Sequence, residues 1–425
     1  MSQIYKINSK ASVETIVSSL FLYLLLPISS LVISCLQYRK TWSKYLFILF
    51  GFYFGYCFVV PSSKLSEASD SEFYVAEFKE YCETDISFSK LIDGFYKIET
   101  QKTDVYQPLM TWLVSQFTDN YHFLFGIFGL VFSVFLTKIL RLMLELTNIE
   151  LKGFALLVLL TFLLINPLWN INGVRMWTAL NVFLFGILLY NFKNRKMGLF
   201  YMLLSSLFHI SFLLPIIFFL FYLLISKVHY IYFFVLCLMS FLVKGLPSGL
   251  IDNLSDYLPD FIKYRLDFYV DPSYVASVAD STKNTSLFIL VSQYAQSFIP
   301  LVVVLYIHFY YKKNIKVNCN DLSFYNNLLF TAFWANMSAI IPSFGRFQSL
   351  SLMLIMFYLF INLFKLKKLR HFNILKLILI PLFLTIIVQK LRELIDFQSI
   401  NLFIGNIFIY DANAEHEPLI NLFLK

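Results

Sequence analysis

Long apolar runs dominate the chain, each closed by a short polar or basic cluster. A helix needs about 20 apolar residues to cross a bilayer. Runs of that length cover 15–37, 45–61, 121–140, 153–170, 175–192, 229–244, 286–310, 324–343, 347–364 and 372–388. Each predicts a membrane-spanning helix. The stretch 197–226, "MGLFYMLLSSLFHISFLLPIIFFLFYLLIS", is ambiguous, reading as one long tilted helix or as two short ones meeting at "FHIS". The stretch "YQPLMTWLVSQF" at 106–117 is too short to span, and reads as an interfacial or re-entrant helix leading into the next span.

Charge placement resolves the ambiguity. Short loops rich in Lys and Arg stay on the cytoplasmic side. With "YRKTWSK" at 38–44 inside, 138–152 and "NFKNRK" at 191–196 also fall inside. If 197–226 forms two spans, "YKKNIK" at 311–316 and "KLKKLR" at 365–370 join them; as one span, both would land outside. Two spans therefore give an expectation of 12 helices with both termini outside. The outer face would then carry a long acidic loop at 62–105, a second long loop at 245–285, and short turns at 170–175, 209–211 and 343–346.

Composition supports this class. Of 425 residues, 59% are hydrophobic and 14% charged, with 49 Phe, more apolar surface than a soluble domain can enclose. The expectation is one all-α polytopic membrane domain over 1–425, with no linker and no short-period repeat. The net charge of +8 is spread over many short loops, as topology requires, and does not call for a nucleic-acid partner. Five scattered cysteines (Cys35, Cys57, Cys82, Cys237, Cys319) imply neither a disulfide framework nor a metal knuckle. The N-terminus lacks the pattern of a cleaved signal, so its first apolar run is expected to remain as a span.

Polar groups at the mouths of spans stand out, because burial away from water costs free energy. Arg175 opens the run "NINGVRMWTAL" and Arg346 sits in "SAIIPSFGRFQSLSL". A lone arginine there can simply snorkel to headgroups. Against that, both lie on the side that the charge bias leaves poor in cations, and each has polar neighbours: Asn170 and Asn172, Ser343 and Gln348. Ser292, Gln293, Gln296 and Ser297 form one stripe on a helix, and Asn336 and Ser338 lie at comparable depth. Interhelical hydrogen bonding would explain each stripe singly. An outward-opening polar cavity that also takes in His209 explains them together. Paired guanidinium forks suit a phosphate or diphosphate and can stabilise charge on a departing diphosphate without a metal or other cofactor. Glu67, Asp70 and Glu72 after the second span are candidate bases for an acceptor hydroxyl.

The elements "DSEFY" at 70–74, "NGVRMWTA" at 172–179, "HIS" at 209–211 and "GRF" at 345–347 together resemble the EpsG-like, Wzy-type bacterial polysaccharide polymerases. The resemblance covers roughly residues 40–400. It implies a C-type glycosyltransferase-like membrane fold in the bacterial inner membrane, with the active site facing outside. The implied reaction transfers a growing glycan from one undecaprenyl diphosphate carrier to the sugar of an incoming lipid-linked repeat unit. A chain-length regulator is a further expected partner. Arg175 and Arg346 would be the diphosphate arginines, Asp70 the early-loop acid, and Tyr74 and His209 cavity residues. Asn172, Gln293, Gln296, Asn336 and Arg265 are the remaining candidates for substrate binding. Three alternatives stand beside this reading: an O-antigen ligase-like glycosyltransferase, a flippase for lipid-linked oligosaccharide, and a membrane acyltransferase. The loop at 245–285 holds Arg265 as its single arginine and no histidine, unlike a ligase, and no clear repeat or midplane helix break marks a transporter.

Overall fold

The computed structural model describes residues 13–61, 69–84, 86–96, 102–147, 149–242, 271, 285–313, 319–339, 341, 344–369, 371–406, 408 and 417–424. Glu67, Ser343 and Arg265, with nearly all of the second expected loop, lie outside them. The described residues are helical, with extended pairing limited to two isolated bridges, Phe58 with Gln398 and Phe95 with Lys102. The chain is an all-helical, polytopic membrane protein.

Helices occupy every apolar run. The first run is broken at Pro27 into α1 (Val13–Leu25) and α2 (Ile28–Leu36), since proline lacks the N–H that would continue the ladder. After α3 (Ser43–Tyr56), the segment expected to be an acidic loop is itself folded, with α4 (Asp70–Glu83) and α5 (Phe88–Asp93). Tyr74, Phe78 and Tyr81 recur at helical spacing along α4 and are buried. That face packs on α6 (Tyr106–Ser115) and α7 (Tyr121–Glu145). Glu72 caps α4 by accepting the Ser69 N–H at 3.0 Å.

Next come α8 (Phe154–Ile165), α9 (Val174–Phe192), α10 (Arg195–Phe208), α11 (Leu213–Ile225) and α12 (Tyr230–Ser240). The run 197–226 is thus two helices, hinged by a short 3-10 turn at Ile210–Phe212. The last four long helices are α13 (Leu287–Lys313), α14 (Cys319–Ser338), α15 (Phe347–Leu366) and α16 (Phe372–Phe397). Among the described residues, five helical segments are long and apolar enough to cross a membrane: Tyr121–Glu145, Phe154–Phe192, Leu287–Phe309, Phe344–Leu366 and Phe372–Phe397. Of the apolar stretch in α15, 78% is buried, against 28% in α16, so α15 is central and α16 peripheral. α9 is the second central helix, buried without a break from Thr178 to Leu188.

α3 and α7 approach through glycines, Gly51 and Gly55 facing Gly126 and Gly129. A Cβ on Gly55 would overlap the Phe125 carbonyl oxygen, and one on Gly129 the Gly51 carbonyl. Backbones that close are the reason for small residues four apart on a membrane helix. Gly55→Ala is expected to destabilise the protein by about 1–3 kcal/mol. The check is the denaturation midpoint of the purified protein in detergent; an unchanged midpoint would mean that the two helices do not meet there.

Candidate functional site

The site forms where four chain segments meet. Asn166–Pro167 ends α8, because a residue before proline is disfavoured in the α region; Asn166 is at φ −128°, ψ 77°. The chain then makes a 3-10 turn, Leu168–Gly173, before α9 begins. An amide ladder pins that turn. Asn170 donates to Asn166 Oδ1 at 2.9 Å, and Asn166 donates to Asn181 Oδ1 and to the Trp177 carbonyl, each at 3.0 Å. Asn172 Oδ1 accepts from Ser71 Oγ at 2.6 Å and so ties the turn to the start of α4.

This arrangement places Arg175 beneath the first turn of α4. Its Nε donates to Tyr74 Oη at 3.2 Å, and its guanidinium carbon lies 5.6 Å from the Tyr74 ring centroid. One terminal nitrogen donates to Asp104 Oδ2 at 3.2 Å, and the other lies 3.8 Å from Asp70 Oδ1. The Asp104 side chain is only 1% exposed, Arg175 25% and Asp70 39%, so the clamp is dry at Asp104 and opens towards Asp70. Burial pushes the Tyr74 phenol up, with Arg175 pulling in the other direction, and Tyr74 stays neutral.

Asp104 makes a second connection. Its Oδ1 accepts the Ile210 N–H at 2.7 Å, and Val105 N donates to the Leu207 carbonyl at 3.0 Å. The same carboxylate therefore holds Arg175 and the hinge between α10 and α11. His209 belongs to that hinge. Its Nδ1 accepts the Ser211 N–H at 3.1 Å and lies 2.8 Å from Ser211 Oγ, capping the turn.

Beside the clamp lies a cavity of about 280 Å³. Asp70, Asn172 and Arg346 line it, with Trp169, Asn170, Gly173, Trp177, Glu393 and Phe397. Arg346 ends the 3-10 turn Phe344–Arg346, anchored by buried Phe347 against Trp334 and Phe212. Among the described residues Arg346 has no ion pair, in contrast to Arg175. The cavity thus holds one exposed guanidinium, two carboxylates from opposite ends of the chain, two amides and three aromatic rings.

Of the residues singled out in the sequence, Asp70, Asn172 and Arg346 share the cavity, while Tyr74, Arg175 and His209 form the supporting layer beside it. The two glutamines of α13 are elsewhere, Gln293 exposed and Gln296 half-buried, neither lining the cavity. Asn336 donates to Ser240 Oγ at 3.0 Å and accepts from Gln348 at 3.3 Å, joining α12, α14 and α15. Sequence reasoning overlooked Asp104, Glu393 and the Trp169/Trp177 pair. The signal for Asp104 was a single acid immediately before the short apolar helix α6; Glu393 sits one turn before the end of the last long helix. Among the described residues no group of three or more His, Cys, Asp or Glu is arranged to hold a metal ion.

A family model described as the EpsG family matches residues 64–402, from just before α4 to just after α16. The chain belongs to the EpsG family. No curated protein and no solved structure matches it significantly. Membership makes this a polysaccharide-polymerase-type membrane protein, and the matched span contains the cavity and the whole Arg175 clamp.

Proposed function

We propose that this EpsG-family protein polymerises lipid-diphosphate-linked oligosaccharide repeat units by glycosyl transfer. In this reading twelve helices cross a bacterial inner membrane and the cavity opens to the outer face. The carrier is undecaprenyl diphosphate, and a chain-length regulator is a further partner. The observation that carries the reading is that one cavity is lined both by Arg346, which makes no ion pair among the described residues, and by the Asp70 carboxylate. Arg346 engages the diphosphate of the donor. The bond from the anomeric carbon to the diphosphate oxygen breaks, its electron pair leaving on the diphosphate that Arg346 stabilises. The acceptor hydroxyl oxygen attacks that carbon and its proton passes to Asp70. Arg175 is a positioning residue here: with three protein partners it orients Asp70 instead of meeting substrate.

Arg346→Lys keeps the charge and loses the planar fork. We expect polymer synthesis to fall about 10²-fold or more. On a gel, long polymer disappears while single repeat units still reach the surface and the protein accumulates normally. Unaltered chain lengths would sink the diphosphate role of Arg346. Loss of all surface glycan, single units included, would favour a flippase.

A further inference from the structure

Glu393 stands in the cavity wall, delivered by the opposite end of the matched segment from Asp70. Its environment differs from that of Asp70. Glu393 Oε1 accepts from Gln389 Nε2 at 2.7 Å and from Lys390 Nζ at 3.1 Å, and Oε2 accepts from Lys390 at 2.8 Å. Gln389 is 5% exposed and is held in turn by the hydroxyl of fully buried Ser292 on α13. A buried Ser–Gln relay on otherwise peripheral helices thus fixes one carboxylate in place. Three of the roughly four lone-pair sites of a carboxylate are used, which leaves one on Oε2.

Phe397 follows Glu393 by four residues, on the same face of α16, and also lines the cavity. It is anchored rather than mobile. Its ring stacks on Phe58 at 5.6 Å and 11°, and its carbonyl accepts the Val59 N–H at 2.9 Å. A fixed acceptor beside an aromatic face suits a neutral, hydroxyl-rich ring: the carboxylate takes a hydroxyl hydrogen, and the aromatic covers the ring's C–H face. It does not suit an anion, which a second carboxylate would repel. The cavity's size, about 280 Å³, lies at the lower edge of ordinary ligand pockets, so it admits reacting ends and not whole repeat units.

We infer that Glu393 and Phe397 form the subsite that grips the terminal sugar of the acceptor, in the cavity that Arg346 also lines. This rests on the polymerase reading. It adds a division of labour between the two carboxylates. Asp70, 3.8 Å from the Arg175 guanidinium, removes the proton; Glu393, ion-paired to Lys390, selects and orients the ring.

The test uses the full-length protein purified in detergent, and reads the ligand-dependent change in total tryptophan fluorescence, to which Trp169 and Trp177 in the cavity wall contribute. The probes are a panel of methyl hexosides and inorganic pyrophosphate. At least one hexoside should bind the wild type. Glu393→Gln, which keeps shape and loses charge, should weaken that hexoside at least about tenfold and leave pyrophosphate within about twofold. Phe397→Leu should weaken the hexoside alone, and Arg346→Gln the pyrophosphate alone. The subsite is refuted if no hexoside binds the wild type, if Glu393→Gln leaves hexoside binding unchanged, or if it weakens both probes equally. Pyrophosphate binding indifferent to Arg346→Gln would instead remove the diphosphate role of Arg346, while the hexoside result still judges Glu393.

Discussion

Asp70→Asn is expected to lower polymer synthesis by about 10²–10⁴-fold, the contribution of a positioned general base, with the protein present at normal levels in the membrane. Asparagine has the same shape and can still accept a hydrogen bond, but it cannot take a proton from an attacking hydroxyl. The structural cost should be small. Asp70 is 39% exposed, and its contact with Arg175 is long at 3.8 Å, whereas Arg175 retains Asp104 and Tyr74 at 3.2 Å. The check is polymer length and amount in a strain carrying the variant, normalised to membrane abundance. Asp70→Glu serves as companion, because it restores a base on a longer arm and should recover part of the activity. Full activity in Asp70→Asn would transfer the base to another group and leave Asp70 as a partner of Arg175 only.

Gly173 shows how closely this base is fitted. A Cβ there would lie 3.3 Å from Asp70 Oδ2 and 3.2–3.3 Å from the Trp177 indole, inside the cavity wall. The 3-10 turn brings bare backbone against the carboxylate, and the indole packs beside it. The turn, the first helical turn of α4 and the indole therefore define one face of the cavity together.

Much of the helical framework was legible because its cause is local. An apolar run of bilayer length has to be helical, since lipid offers no partner for backbone N–H and C=O. The break at "FHIS" was legible for a different reason, the balance of basic loops, and the structure places the α10–α11 hinge there. What escaped the sequence were contacts made across long separations. Arg175 reads as a free cation on a helix, because its neutralising partner Asp104 is 71 positions away. Its apparent availability for a phosphate was the absence of a local partner, not of any partner. The α13 stripe erred in the opposite sense. Ser292 is buried against Gln389 of α16, while Gln293 is exposed and Gln296 half-buried, and neither glutamine lines the cavity. Periodicity identified a polar face but not which neighbour it would meet. The acidic segment after α3 lacks the apolar length of a span and reads as loop, whereas the amphipathic α4 forms there by burying Tyr74, Phe78 and Tyr81.

Asp104→Ala is expected to have the largest effect on stability, about 3–5 kcal/mol, the usual consequence of removing one partner of a buried ion pair. The substitution leaves the Arg175 guanidinium without the partner that neutralises it in the interior, since Tyr74 is neutral and Asp70 is distant and half-exposed. It also strips the Ile210 N–H of its acceptor, loosening the hinge that carries His209. A loss of that size is a large fraction of the total stability of an ordinary protein. The variant should therefore be scarce in membranes, and its denaturation midpoint in detergent should fall well below that of the wild type. Asp104→Asn is the informative companion. An amide can still accept from Ile210 through its oxygen but cannot neutralise Arg175, so it should fall between alanine and wild type. Adding Arg175→Met to Asp104→Ala removes the stranded charge and should recover stability without restoring polymer. If Asp104→Ala keeps normal stability and the double variant gains nothing, the clamp is not what holds the 3-10 turn, α4 and the hinge together. Recovery of stability without polymer would separate the two roles, with the ion pair maintaining the fold and Arg175 itself serving the cavity through Asp70.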